Sequence, residues 1–306
     1  MKVKFFGNKI NIKLADLTPG LPSSTISEPD HEYGTGLGSP SHVCFNSEYL
    51  NRDTPEWDDA DKKIKSHFGG KIGLHDLASA YHIPGMKNQD LNISHFDNGD
   101  FSYKPSININ YNGKSSNSDE RFRYSLSHDI EDDGKHSVHW GWMGNKDLHG
   151  GDKGDSSMLP KLMKRLTPVY KKAGINHIDT EAAGGSCMNG NHTWATMGFG
   201  FRPALHNSSE PYDLAMAKRE AYYQTKNLGI DNDEMKEKIN SATHPFHFQE
   251  IAKKIANSPE NRKNSLNYNG REMYNKMVPD FDARLSMDPN DVGHQKLQKF
   301  LSRLKA

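Results

Sequence analysis

The sequence predicts a mixed α+β fold, a mostly antiparallel sheet with flanking helices and a helical C-terminal extension, on three observations. Strict alternation of apolar and polar residues, the period of a half-buried strand, recurs through three consecutive segments between residues 106 and 142. The period then changes. Met158, Leu159, Leu162, Met163, Leu166, Val169 and Tyr170 recur at spacings of three and four, as one face of an amphipathic helix does. From residue 211 onward the pattern is helical and charged.

Taken in order, the chain opens on two alternating runs, Lys2-Val3-Lys4-Phe5-Phe6 and Lys9-Ile10-Asn11-Ile12-Lys13-Leu14, which read as short strands or a hairpin. Pro19-Gly20 and Gly34-Thr35-Gly36-Leu37-Gly38 are loop chemistry. Residues 56–67 carry charges and little apolar surface, so a helix there is expected to be exposed. Residues 106–111 and 122–126 alternate, and Asp132-Asp133-Gly134-Lys135 is a hairpin signal. Val138, Trp140 and Trp142 then fall on one face of a third strand, which makes a meander. In the helix that follows, Pro160 is tolerable in the first turn, but Pro168 predicts a kink or break, and Gly174 is a stop signal. A strand over 175–180, a small-residue loop over 182–190, a short helix near 193–197 and a last strand starting at Gly198-Phe199-Gly200-Phe201 complete the middle.

The C-terminal helices are expected at 214–228, 233–242, 246–256 and 292–304, with Ala215, Tyr222, Ile251, Ile255, Leu297, Phe300, Leu301 and Leu304 as their apolar stripe. That stripe is too sparse for a separate core, so these residues are expected to pack on the core or on a partner subunit. A composition shift at Asn207-Ser208-Ser209 divides the chain into a loop-rich region, 1–100, a core, 101–207, and the helical extension, 208–306.

Composition narrows the function. Hydrophobic residues are 34% of the 306, and mean hydropathy is −0.87. No apolar run approaches the roughly 18 residues of a membrane span, so no membrane partner is expected. The N-terminus has no long apolar segment behind its charges, so a secretory signal peptide is not expected, and the location read is cytoplasmic. Delivery into a host cell stays open. Lys+Arg and Asp+Glu are 39 each, a balance that argues against a nucleic-acid partner. Cys44 and Cys187 read as two reduced thiols. Sixteen histidines invite a metal reading, but no spacing matches a zinc or calcium site, and none is expected.

The order from Val138 to Phe201 is strand, glycine loop, long helix, strand, small-residue loop, short helix, strand. It resembles the core of the GNAT superfamily of acyl-CoA-dependent N-acyltransferases. The loop Gly150-Gly151-Asp152-Lys153-Gly154 stands where that family binds the CoA pyrophosphate, and Asn189-Gly190-Asn191-His192-Thr193-Trp194-Ala195-Thr196-Met197-Gly198-Phe199 fits its Asn-then-aromatic signature ending in Gly-Phe. The resemblance covers about 65 residues and implies a GNAT-like sheet and transfer of an acyl group from acetyl-CoA, or another acyl-CoA, to an amine. Gly150, Gly151, Gly154, Asp155, Ser156 and Asn191 would bind the cofactor. Helix N-termini offer unpaired N–H groups to an anion, and glycine lets the backbone come close. Glu181 and His139 are the candidate bases, and Ser186 or Thr193 could relay a proton.

Two departures carry a second reading. Asp152 and Asp155 oppose a pyrophosphate charge, and Trp194 stands where the family has a proton-donating tyrosine. Indole N–H is too weak an acid for that role. The alternative is a catalytically degenerate GNAT-like binding protein or effector, phage-encoded or injected, that inhibits a host protein. Either reading expects a protein partner or substrate, and a homo-oligomer stays open.

Overall fold

The computed structural model describes residues 2–5, 8–11, 40–51, 54–83, 86–96, 105–115, 121–144, 158–183, 190–203, 210–263 and 267–304. The chain divides into two compact units, Met1–Ile178 with Leu301–Ala306, and Asp179–Phe300. The fold class is mixed α+β, with an open sheet.

In the first unit, β1 (Lys2–Phe5) and β2 (Asn8–Asn11) pair antiparallel, with Val3 opposite Ile10, as their alternation predicts. β3 (Pro40–Phe45) turns into β4 (Glu48–Tyr49) through Asn46 and Ser47, at φ 48° and 72°. Two positive φ angles are what a two-residue hairpin turn of matching twist requires. α1 (Pro55–His67) begins where the Thr54 hydroxyl accepts the Trp57 N–H at 3.3 Å. It buries Trp57, Ala60, Ile64 and His67, which corrects the expectation of an exposed helix. Four residues at three-and-four spacing suffice for one buried face, and a hydropathy reading does not count the histidine among them.

α2 (Leu74–Tyr81) and β5 (Met86–Phe96) follow. β5 pairs parallel with β3, and the two helices between them supply the crossover that a parallel pair needs. β6 (Ser106–Ser115), β7 (Arg121–Ile130) and β8 (His136–Gly144) are the expected antiparallel meander, with Ile109 opposite Leu126 and Tyr111 opposite Tyr124.

α3 (Met158–Ala173) runs without a break through Pro168, so of the expected kink or break the break does not occur. An interior proline costs about 3 kcal/mol. Leu162, Met163, Leu166, Val169 and Tyr170 are each 1% exposed or less. At about 1.5–3 kcal/mol for each buried side chain, their packing outweighs the proline. Gly174, at φ 80°, ends the helix and leads into β9 (Ile175–Ala182). The strand order in this unit is β9-β8-β7-β6-β5-β3-β4, with the first half of β9.

The second unit takes the other half of β9. It continues with α4 (Gly190–Thr196), β10 (Gly200–Phe201), α5 (Tyr212–Asn227), α6 (Asp233–Ser241), α7 (Pro245–Ala256) and α8 (Pro259–Lys263). α9 (Gly270–Met277), β11 (Phe281–Ser286) and α10 (Val292–Arg303) complete it, with Leu301 onward counted in the first unit. Its strand order is β10-β11-β9: the last strand in sequence lies between the two earlier ones. Phe281, Ala283 and Leu285 point into the core, while Asp282 and Arg284 take the other face. The C-terminal helices share this core with α4 and β10, where Phe201 meets both Phe248 and Phe281. The buried face of α5 is Leu214, Ala217, Ala221 and Thr225, so the expected stripe is corrected there: Ala215 is exposed and Tyr222 half-buried. Among the described residues no helix is long and apolar enough to cross a membrane.

Candidate functional site

The second unit gathers four carboxylates at one depression of about 310 Å³. Its lining is Glu181, Ala182 and Ala183 at the end of β9, Asp213 in the first turn of α5, and Asp280, Phe281 and Asp282 at the start of β11. Each reaches the site for a local reason. β9 alternates, so Asp179 and Glu181 share a face; Asp179 is buried and Glu181 exposed. Asp213 faces β11, where its Oδ2 accepts the Asp282 N–H at 3.1 Å. Phe281 anchors β11 in the core and leaves Asp280 and Asp282 at the surface.

Beneath the depression, Arg284 of β11 donates from Nε and Nη2 to the two oxygens of Asp179, both at 2.7 Å. Arg202 adds a longer contact at 3.7 Å. This fork-to-fork pairing ties β11 to β9 and neutralises Asp179, so the carboxylate excess faces outward from Glu181 onward. The Asp213 carboxyl is pushed above its ordinary value by burial, with the Asp282 charge adding and the Asp282 amide opposing. The described lining residues carry no basic side chain. An acidic concavity of this kind concentrates cations, and an ammonium group is the organic cation whose proton a carboxylate can collect.

The other expected site residues fall as follows. Thr193 lies on α4 and is 3% exposed. Asn191 on the same helix is fully buried, its Nδ2 donating to the Val278 carbonyl at 2.9 Å and its Oδ1 accepting the His192 N–H at 2.6 Å. That amide is committed to backbone, as a helix-start asparagine often is. Trp194 is buried against Phe199, with ring centroids 4.7 Å apart. Within this unit only Glu181 of the expected residues lines the depression. His139 belongs to the first unit, exposed on β8 opposite Ser127. Gly150, Gly151, Gly154, Asp155, Ser156, Ser186 and Cys187 lie outside the described residues.

Asp213, Asp280, Asp282 and the Asp179–Arg284 pair are what reading the sequence missed. The alternation Phe-Asp-Ala-Arg-Leu-Ser over β11 was the available signal. A second, smaller depression, about 210 Å³, lies between α6 and α7, where Lys238 and Lys254 both pair with Glu234. Among the described residues no group of three or more His, Cys, Asp or Glu is arranged to hold a metal ion. Comparison with protein-family models, curated proteins and solved structures finds no match.

Proposed function

We propose that the chain is an acyl-CoA-dependent N-acyltransferase acting on a cationic amine of a protein or small molecule, with Glu181 as general base. The observation that carries this reading is the acidic depression lined by Glu181, Asp213, Asp280 and Asp282, which suits an ammonium acceptor and supports a carboxylate as the group that takes its proton. The element order β8, α3, β9, α4, β10 supports a GNAT-like core. Acetyl-CoA or another acyl-CoA is the donor. The amine, once deprotonated, attacks the thioester carbonyl; the C–N bond forms, the C–S bond breaks, and the thiolate leaves and takes up a proton.

The first test is a thermal-shift titration. Acetyl-CoA at a hundred times its dissociation constant is expected to add about 2.7 kcal/mol of stability. The second is Glu181→Gln, which keeps shape and removes the proton-accepting charge. Turnover is expected to fall about 10²–10⁴-fold while acetyl-CoA binding persists, with partial recovery at high pH as the amine deprotonates itself. No transfer from acetyl-CoA to lysine peptides or polyamines by the wild type would overturn the reading.

One observation favours the alternative, a binding protein or effector that inhibits a host protein. Trp194 is buried against Phe199, so the position where the resembling family keeps a proton-donating tyrosine is filled with packing instead. That reading predicts no acetyl-CoA shift and an unchanged biological effect in Glu181→Gln.

A further inference from the structure

Three histidines of the first unit gather around one phenylalanine. Phe68, just past α1, is 1% exposed. The ring of His136 from β8 stacks on it with centroids 5.8 Å apart, while His67 from α1 and His128 from β7 meet it edge-on at 4.8 and 5.3 Å. His67 also lies 5.8 Å from His136 and 5.9 Å from His95 of β5. Imidazoles from three elements thus converge on one apolar ring, and His95 reaches it only through His67.

His128 is the deepest of them, 1% exposed. Its Nε2 pairs with the Tyr81 hydroxyl at 2.7 Å, and Tyr81 bonds Tyr170 at 3.0 Å. Its Nδ1 is buried with no hydrogen-bond partner among the described residues. The titratable groups facing His128 are Tyr81 from α2, Tyr170 from α3, His67 from α1 and His136 from β8; His136 also feels Lys71. Among the described residues no carboxylate is one of the groups that set the charge of either ring.

We propose that this cluster makes the first unit an acid-sensitive element, in which proton uptake loosens α1 and α2 from the strands they cover. A proton on His128 puts a charge in an apolar site and gives both ring nitrogens N–H groups there, with one nitrogen already lacking a partner. A proton on His136 sets a second positive charge beside it. Burial, with His67 and His136 adding, holds His128 at about 3. His136 is lowered by burial and then Lys71. His82, beyond α2, is held at about 3 by burial and then Arg165. Unfolded imidazoles titrate near about 6.5, so below that pH the unfolded chain binds more protons than the folded one and stability falls.

The test is peptide-resolved hydrogen exchange of the full chain between pH 7 and 5, corrected for intrinsic exchange rates. Peptides of α1, α2 and β7 are expected to open more readily as pH falls, by about tenfold per pH unit for each proton taken up. Combining His128→Gln with His136→Gln is expected to flatten that dependence, by about one proton for His128 and by a further part for His136, leave the share of His82, and not alter the dependence of second-unit peptides. No pH dependence in the wild type, or the same dependence in the double variant, overturns the proposal. If the double variant does not fold, imidazole C2–H exchange on the wild type decides. Folded-state titration of His128 well below about 6, with His136 lowered from its ordinary value, supports the proposal, and titration of His128 at or above about 6 overturns it.

Discussion

Gly198 holds φ +99°, and a Cβ there would overlap the Gly293 carbonyl oxygen; Gly293 in turn is closed by the Gly198 carbonyl. Two backbones cross where neither can carry a side chain. In the sequence Gly198 belongs to an apolar-Gly-Phe ending that resembles a family signature, yet its need for glycine comes from a segment 95 positions later. Gly198→Ala is expected to cost about 2–4 kcal/mol, the sum of a left-handed backbone and an overpacked contact. Gly69, at φ +58° with open space around its Cβ position, is the control. Gly69→Ala is expected to cost only the backbone part, about 1–2 kcal/mol. Urea denaturation of both variants checks the difference.

At the scale of elements, the Asp179–Arg284 pair holds β9 and β11 together beneath the acidic depression. Asp179 is 10% exposed at its side chain and Arg284 25%. Arg284→Met is expected to cost about 3 kcal/mol, the low end for a broken buried pair because Arg202 remains near. Pairing it with Asp179→Leu is expected to cost less than the single change, since no buried carboxylate is left unpaired and Arg202 is 40% exposed. A double-mutant cycle by denaturation measures the coupling, and strict additivity would contradict it. Elements were legible where period and burial agree. β6, β7, β8, α3 and the helices α5, α6, α7 and α10 follow their patterns closely. α2 was not legible because Leu74, Leu77, Ala78, Ser79, Ala80 and Tyr81 are all buried, which leaves no stripe to read. β5 was not, because Asn88 at φ 48° and a register shift between Lys87 and Asp90 break its alternation.

Over the whole molecule, buried and half-buried histidines couple stability to pH in both units. In the second, burial and then Arg271 hold His192 at about 4, and burial lowers His244, with His247 adding and Asp291 opposing, and His247, with Glu250 opposing and Lys296 adding. Their folded values lie below the unfolded value near about 6.5. The unfolded state therefore binds more protons in between, and the stabilisation present above about pH 6.5 is lost as pH falls toward the folded values. The melting temperature is expected to drop between pH 6.5 and 5, before most carboxylates titrate, and His192→Gln is expected to reduce the drop. Melting curves that do not move over that interval would contradict this.

By itself the sequence determined what is periodic and local: the meander of β6, β7 and β8, the strand β9, the stop of α3 at Gly174, and α5, α6, α7 and α10, but not β3, β4, β5 or the strand β11 within the otherwise helical C-terminal third. It also held Glu181 as a candidate base, because a carboxylate at a strand end is readable from its neighbours. Only the tertiary structure decided that β11 lies between β9 and β10, that β3 pairs parallel with β5, that Pro168 stays inside a helix, and that Glu181 meets Asp213, Asp280 and Asp282. The imidazoles around Phe68 likewise come from residues 67 to 136. The physical reason is that periodicity reports which face of an element is buried but not what it is buried against. Strand partners, a tolerated proline and converging charges are set by packing between segments far apart in the chain, where burial outweighs local preference.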